Sequence, residues 1–201
     1  SMALTVKKYL LLIIIFITIF SLSAEELKKN EKYLSPDGLS YFYFFEEGKV
    51  TTAFLWDHIA KKEIKLFSLE LRYKLNNDCI VWYGGSFEIR IHTGSPGVYS
   101  IFYLFQKQTI TSPIWFVVAV DKTGRFALLA QESVYIFDLI ENKIVLNIKL
   151  PIEESAVTYL LIDIGSTYFD ANGDLHIIYL DKNKSWKDFI IKKKKYNHSR
   201  L

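Results

Sequence analysis

Alternation with a period of two, interrupted again and again by turn-forming residues, is what most restricts the folds open to this chain. Leu69, Leu71, Tyr73 and Leu75 alternate with Glu70, Arg72 and Lys74. Phe87, Ile89 and Ile91 alternate with Glu88, Arg90 and His92, and Ile144, Leu146, Ile148 and Leu150 repeat the pattern around Asn147 and Lys149. Successive side chains on a strand point to opposite faces, so this spacing buries one face and wets the other. Runs rich in β-branched and aromatic residues predict further strands at 41–45, 50–56, 98–105, 114–120, 126–130, 134–137, 159–164, 175–180 and 188–191. Between them lie Ser35-Pro36-Asp37-Gly38, Glu47-Gly48, Gly84-Gly85, Asp121-Lys122-Thr123-Gly124, Glu141-Asn142-Lys143 and Asp170-Ala171-Asn172-Gly173-Asp174, all made of turn formers. One short helix is possible at 25–32, and 57–63 reads as either a turn of helix or a hairpin loop. The expectation is an all-β antiparallel meander, either propeller-like or folded as packed sheets.

The turns also hint at a repeat. Gly38, Gly124 and Gly173 each close an acidic turn that leads into a strand, at spacings of 86 and 49 residues. Several strands per unit of about 40 to 50 residues is the pattern of propeller blades. The segment Asp121 to Ala130, then Val134 to Leu139, then Asn142 to Val145, resembles one blade of a β-propeller. Trp56-Asp57 is the single Trp-Asp dipeptide, so no blade signature recurs.

The N-terminal residues bear on location. Lys7 and Lys8 precede an apolar run from Tyr9 to Phe20, followed by the small-residue stretch Ser21-Leu22-Ser23-Ala24. A charged start, a short apolar middle and a small-residue cleavage site read as a secretory signal peptide, and the run is short for a membrane span. The expected organisation is a signal peptide at 1–23, a single all-β domain at 24–191 and a basic tail at 192–201. The expected location is periplasmic or secreted, which removes most nucleotide-dependent chemistry from consideration.

Cys79 is the single cysteine, so no internal disulfide supports the fold, and its apolar neighbours predict a buried, inert thiol. From Ala24 to Ile191 there are 18 basic and 22 acidic side chains, whereas the last ten residues hold five basic and no acidic ones. A mildly acidic body argues against nucleic acid as a partner. Membrane contact is expected only through an uncleaved signal or through the tail, which reads as a frayed terminus or a weak hold on anionic headgroups.

No catalytic constellation stands out. His58, His92, His176 and His198 are scattered without metal-ligand spacing. Asp170, Asn172 and Asp174 match the first, third and fifth positions of a calcium loop, but its sixth and twelfth positions fall on Leu175 and Asp181, where Gly and Glu are needed. There is no Gly-x-Ser-x-Gly elbow, and Gly84-Gly85-Ser86 leads into a strand. The chain is read as a non-enzyme with no catalytic residue, no metal and no cofactor. Trp56, Trp82 and Trp115 fall in apolar runs and are expected in the core. Trp186 lies in a polar stretch and is expected to cover a sheet edge or to meet a partner.

One loop remains: His92, Thr93, Gly94, Ser95, Pro96 and Gly97, followed by Val98 and Tyr99. Two glycines and a proline between strong strands give a defined, protruding turn with a small tip. A preorganised loop loses little entropy on docking, which suits insertion into another protein's cleft. The loop resembles the Ser-Gly-x-x-Tyr loop with which bacterial periplasmic lysozyme inhibitors plug the lysozyme active site. Ser95 and Tyr99 keep that spacing, while Pro96 replaces the glycine, which has moved to Gly97. Immunity proteins that neutralise periplasmic amidase toxins act by the same logic. The resemblance implies an exported inhibitor or immunity protein whose partner is a peptidoglycan-degrading enzyme, an amidase or a lysozyme. In that role the partner-binding residues are His92 to Gly97 and Tyr99. The other expectation is a non-inhibitory, propeller-like envelope interaction module.

Overall fold

A computed structural model describes residues 31–152 and 158–197. The signal peptide expected at 1–23 lies outside them, as does most of the helix expected at 25–32. The described chain is all-β, and every strand pairing in it is antiparallel. It divides after Glu70 into two compact units.

The first unit is one meander, sheet I, in the order β1 (Tyr33–Leu34), β2 (Tyr41–Glu47), β3 (Val50–Asp57) and β4 (Lys62–Glu70). Alternation sorts its side chains. Phe42, Ala53 and Leu55 are fully buried on one face. Tyr41, Tyr43 and Phe45 meet Trp56 and Phe54 on the other, with ring centroids 5.3–6.3 Å apart. The stretch after Asp57 is a hairpin turn, because the Asp57 carboxylate accepts the N–H groups of Ile59 and Ala60.

The second unit holds three sheets. Sheet II contains β5 (Ile80–Trp82), β6 (Ser86–His92), β7 (Val98–Leu104) and β8 (Thr109–Ile110), with β9 (Ile114–Trp115) also pairing β7. Sheet III runs β10 (Val117–Val120), β11 (Phe126–Ala130), β12 (Val134–Asp138) and β13 (Lys143–Ile148). Sheet IV has three strands, β14 (Tyr168–Phe169), β15 (Leu175–Leu180) and β16 (Trp186–Ile191).

Strand β11 of sheet III is buried on both faces. Phe126, Leu128 and Ile136 pack toward Leu175, Ile177 and Ile191 of sheet IV. Ala127 and Leu129 pack toward Phe102 and Leu104 of sheet II. That is why β11 is an unbroken apolar run instead of an alternating one. Each fully buried leucine or phenylalanine contributes roughly 1.5–3 kcal/mol through area removed from water.

The repeat seen in the turns is a repeat of bonding. At Asp121 one carboxylate oxygen accepts the N–H groups of Arg125 and Phe126. Asp138 holds Ile140 and Glu141, Asp170 holds Asn172 and Asp174, and Asp181 holds Asn183 and Ser185. Each satisfies backbone donors of the turn at a strand end.

Two expected strands are corrected. The alternation at 69–75 does not continue as a strand: β4 ends at Glu70, and Arg72 instead donates to the Thr93 carbonyl at 3.1 Å. The run 159–164 holds a 3-10 turn, Thr158–Leu161, and a single bridge from Ile162 to Tyr179. A short apolar run carries no periodicity that separates these states.

The basic tail is fastened as far as it is described. Tyr196 is 2% exposed, with its ring 5.1 Å from Phe126 and 6.0 Å from Phe169. Lys192 Nζ reaches Asp174 at 2.7 Å, which lowers the Asp174 pKa and raises that of Lys192. Among the described residues no helix is long and apolar enough to cross a membrane.

Candidate functional site

The β6–β7 connection has a closed base and an open tip. The Thr93 N–H donates to the Gly97 carbonyl at 2.9 Å, and Arg72 Nη1 holds the Thr93 carbonyl. Ser95 and Pro96, joined by a cis peptide, form the exposed tip. Both glycines are required by geometry. Gly94 sits at φ +137°, and a β-carbon on Gly97 would stand 2.3 Å from Thr93 Oγ1.

The loop also walls a hollow of about 550 Å³. His92, Gly94, Ser95 and Pro96 form one side, and Tyr73, Asn76 and Asp78 from the segment before β5 form another. Tyr159 closes it. Thr93 and Gly97 make the base of the loop instead of lining the hollow. Tyr99 stands on β7 with its ring against Trp115, centroids 5.1 Å apart.

A second hollow, about 530 Å³, shares Pro96 and Tyr159 with the first and adds Trp115, Phe116, Glu132 and Tyr135. Trp115 is 41% exposed, which corrects the expectation of a core position. Ring contacts continue from Trp115 to Phe116 at 6.0 Å and from Phe116 to Tyr159 at 5.0 Å. Phe116 is the residue at which the chain passes from sheet II to sheet III. Its N–H donates to the Val98 carbonyl and its own carbonyl accepts the Ala130 N–H, both at 3.1 Å. Meeting both partners holds Phe116 at φ +57°, a conformation that costs an aromatic residue on the order of 1–2 kcal/mol.

A buried ionic cluster supports β6. Glu88 is fully buried. Its carboxylate accepts Tyr83 Oη and Ser100 Oγ at 2.6 Å each, and Arg90 Nε and Nη2 at 3.0 and 3.2 Å. Burial, with Glu88 adding to it, pushes the Tyr83 hydroxyl far up. For Arg90, burial works downward, but the Glu88 carboxylate more than offsets it and holds the guanidinium above its usual range. Both carboxylate oxygens are engaged, and the cluster ties β6 to β7 and to Tyr83 after β5. Burial also raises the hydroxyls of Tyr99, Tyr135 and Tyr159, with Arg90 pulling Tyr159 slightly the other way.

Other singled-out residues lie elsewhere. His176 contacts Asp188 at 3.0 Å and stacks on Tyr168, with centroids 4.8 Å apart. The Asp170–Asp174 turn uses its carboxylates on its own backbone and on Lys192 and Lys193. Trp186 opens the edge strand β16 and is 56% exposed. Cys79 is buried. Among the described residues no group of three His, Cys, Asp or Glu side chains is placed to hold a metal ion.

Sequence reasoning missed Trp115, Phe116 and Tyr159 as site residues. The aromatic-rich stretch Ile114 to Phe116 is the only signal for the first two and reads equally as core, and Tyr159 falls in an apolar run that reads as a strand.

No protein-family model matches this chain, and no curated protein sequence does. It is similar to several solved structures at 10% identity. TolB from Acinetobacter baumannii is matched with a TM-score of 0.36, over 82% of this chain and 41% of that one. Dipeptidyl peptidase 4 from Porphyromonas gingivalis gives 0.43, over 84% and 31%. The β-propeller domain of the Trilobed protease from Pyrococcus furiosus gives 0.32, over 81% and 66%. The chain thus spans less than two thirds of each of these proteins.

Proposed function

We propose that this chain is an exported, non-enzymatic interaction module that holds a protein partner on the face formed by the His92–Gly97 loop and the neighbouring aromatic residues. The observation that carries the reading is the loop itself. Its tip, Ser95-Pro96, is exposed while its base is fixed by the Thr93–Gly97 hydrogen bond and by Arg72. A loop ordered before binding loses little entropy when it docks. The test is a photo-cross-linking residue placed at Ser95 of the full chain in cells, with the same residue at exposed Ile144 of β13 as control. A discrete adduct from Ser95 that is absent from Ile144, and is weakened by Gly97→Val, supports the module. Identical adducts from both positions, or none from Ser95, reject it.

A second reading makes the same loop an inhibitory plug for a cell-wall hydrolase, and the small exposed tip favours it. Purified chain added to lysozyme and to a peptidoglycan amidase would slow cleavage, and Ser95→Trp would abolish the effect. Unchanged cleavage in both assays removes this reading and leaves the module intact.

A further inference from the structure

We infer that the groove formed by the two adjoining hollows binds an extended proline-rich peptide bearing a basic residue, in the polyproline II conformation. This rests on the reading of the loop face as a protein-binding surface, and it names the kind of segment that the partner presents.

The rings supply the first argument. Trp115, Phe116 and Tyr159 all line the second hollow and follow one another with centroids 6.0 and 5.0 Å apart, and Tyr99 backs Trp115 at 5.1 Å. A polyproline II chain advances about 3.1 Å per residue, so two residues cover about 6 Å, the scale of this ring spacing. Aromatic-lined grooves recognise such segments because the peptide arrives already extended and loses little entropy. Pro96 adds a rigid apolar wall shared by both hollows.

Hydrogen-bonding capacity supplies the second. A polyproline II chain makes no internal hydrogen bonds, so its carbonyls need donors when they leave water. The Tyr135 and Tyr159 hydroxyls and the Trp115 indole N–H have no hydrogen-bond partner among the described residues, and all three residues line the second hollow. Isolated donors on aromatic rings match single carbonyls along a peptide. A glycan would ask for side-chain amides facing adjacent sugar hydroxyls. The nearby amides are already engaged: Gln131 Nε2 donates to the Trp115 carbonyl at 3.1 Å, and Asn76 Oδ1 accepts the Asp78 N–H at 3.0 Å.

Charge supplies the third. Among the described residues Glu132, which is exposed, is the one charged side chain lining the second hollow, while Lys74 and Asp78 line the first. The Glu132 carboxylate complements a lysine or arginine flanking the prolines.

Fluorescence anisotropy on the full chain tests this, with a labelled peptide of Pro-Pro-Leu repeats ending in arginine as the probe. The control peptide replaces each proline with glycine. The proline peptide is expected to bind at least about tenfold more tightly than the control. Tyr159→Phe keeps the ring and removes one donor, so it should weaken binding about tenfold at unchanged melting temperature. Glu132→Gln should remove most of the preference for the arginine end and flatten the salt dependence. Equal binding of both peptides, full affinity in Tyr159→Phe, or displacement of the probe by soluble peptidoglycan glycan chains would overturn the assignment. A persistent Ser95 adduct without peptide binding rejects the groove and spares the module. Peptide binding without a Ser95 adduct does the reverse.

Discussion

Arg125 grips the buried carboxylate of Asp138 with two hydrogen bonds, Nε at 3.0 Å and Nη2 at 2.8 Å, on one oxygen. The other oxygen caps the turn that follows β12, so a single side chain ties the strand to its turn and to the neighbouring strand. Asp138→Ala leaves the turn donors and a guanidinium without their acceptor, and should lower stability by about 3 kcal/mol. The midpoint of urea unfolding reads this directly, and a change under about 1 kcal/mol would deny Asp138 that role.

Glu88 makes a stronger demand, because its carboxylate engages Tyr83, Arg90 and Ser100 without contact with water. Glu88→Ala should cost about 3–5 kcal/mol, since it strands a largely buried guanidinium. Glu88→Ala combined with Arg90→Met should recover a good part of that loss. A double variant as unstable as the single one would mean that the pair is not what matters at this position.

The loop can be tested through one clash. Gly97→Ala places a β-carbon 2.3 Å from Thr93 Oγ1 and 3.2 Å from the Gly94 carbonyl. Binding by the loop face should fall sharply, while the unfolding midpoint drops by an amount worth about 1–2 kcal/mol. Thr93→Gly in the same chain removes the nearer obstacle and should restore part of both. Failure of the double variant to recover either property would place the defect elsewhere.

Alkaline pH should weaken the first unit. Burial and the hydrogen bond to Glu63 push the Tyr43 hydroxyl up to about 12, from the ordinary tyrosine value of 10.0. Its folded pKa is raised, so its contribution is fully present below pH 10 and is lost as pH climbs toward about 12. Stability followed across that window should decline, and Tyr43→Phe should make the decline shallower. The tyrosinate absorbance of the folded chain supplies a second check, as one late-titrating group should vanish in the variant.

Tyr196 decides whether the basic tail belongs to the fold. Its ring sits against Phe126 and Phe169, so Tyr196→Ala should cost about 3 kcal/mol. Exchanging Lys193, Lys194 and Lys195 for glutamine should change stability by less than about 0.5 kcal/mol, because they lie exposed. Equal effects from both changes would contradict anchoring by the aromatic ring.

How far the sequence speaks for this fold differs from residue to residue. The all-β class, β11 and β12, and the acidic turns are legible because they are written locally, in period-two spacing and in aspartates that bond their own backbone. The first half of β4 is hidden by Lys62, Glu63 and Lys65, whose charges disguise a strand with one exposed face. The alternation at 69–75 misleads because Arg72 is drawn to the Thr93 carbonyl, a partner that no local pattern reveals. The loop at 92–97 is visible in its glycines and proline. The aromatic row is not, since Phe116 owes its conformation to Val98 and Ala130, and Tyr159 comes from a turn far along the chain.

Phe116 belongs to two ladders at once, taking the Val98 carbonyl from one sheet and giving its own carbonyl to Ala130 of the next. That makes it a rivet through which the groove and the junction of two sheets share their thermodynamics. Anything that immobilises its ring slows the opening of both hydrogen bonds, so amide exchange at Phe116 and Ala130 should slow together on occupancy. The backbone there is a built-in gauge of whether the groove is filled.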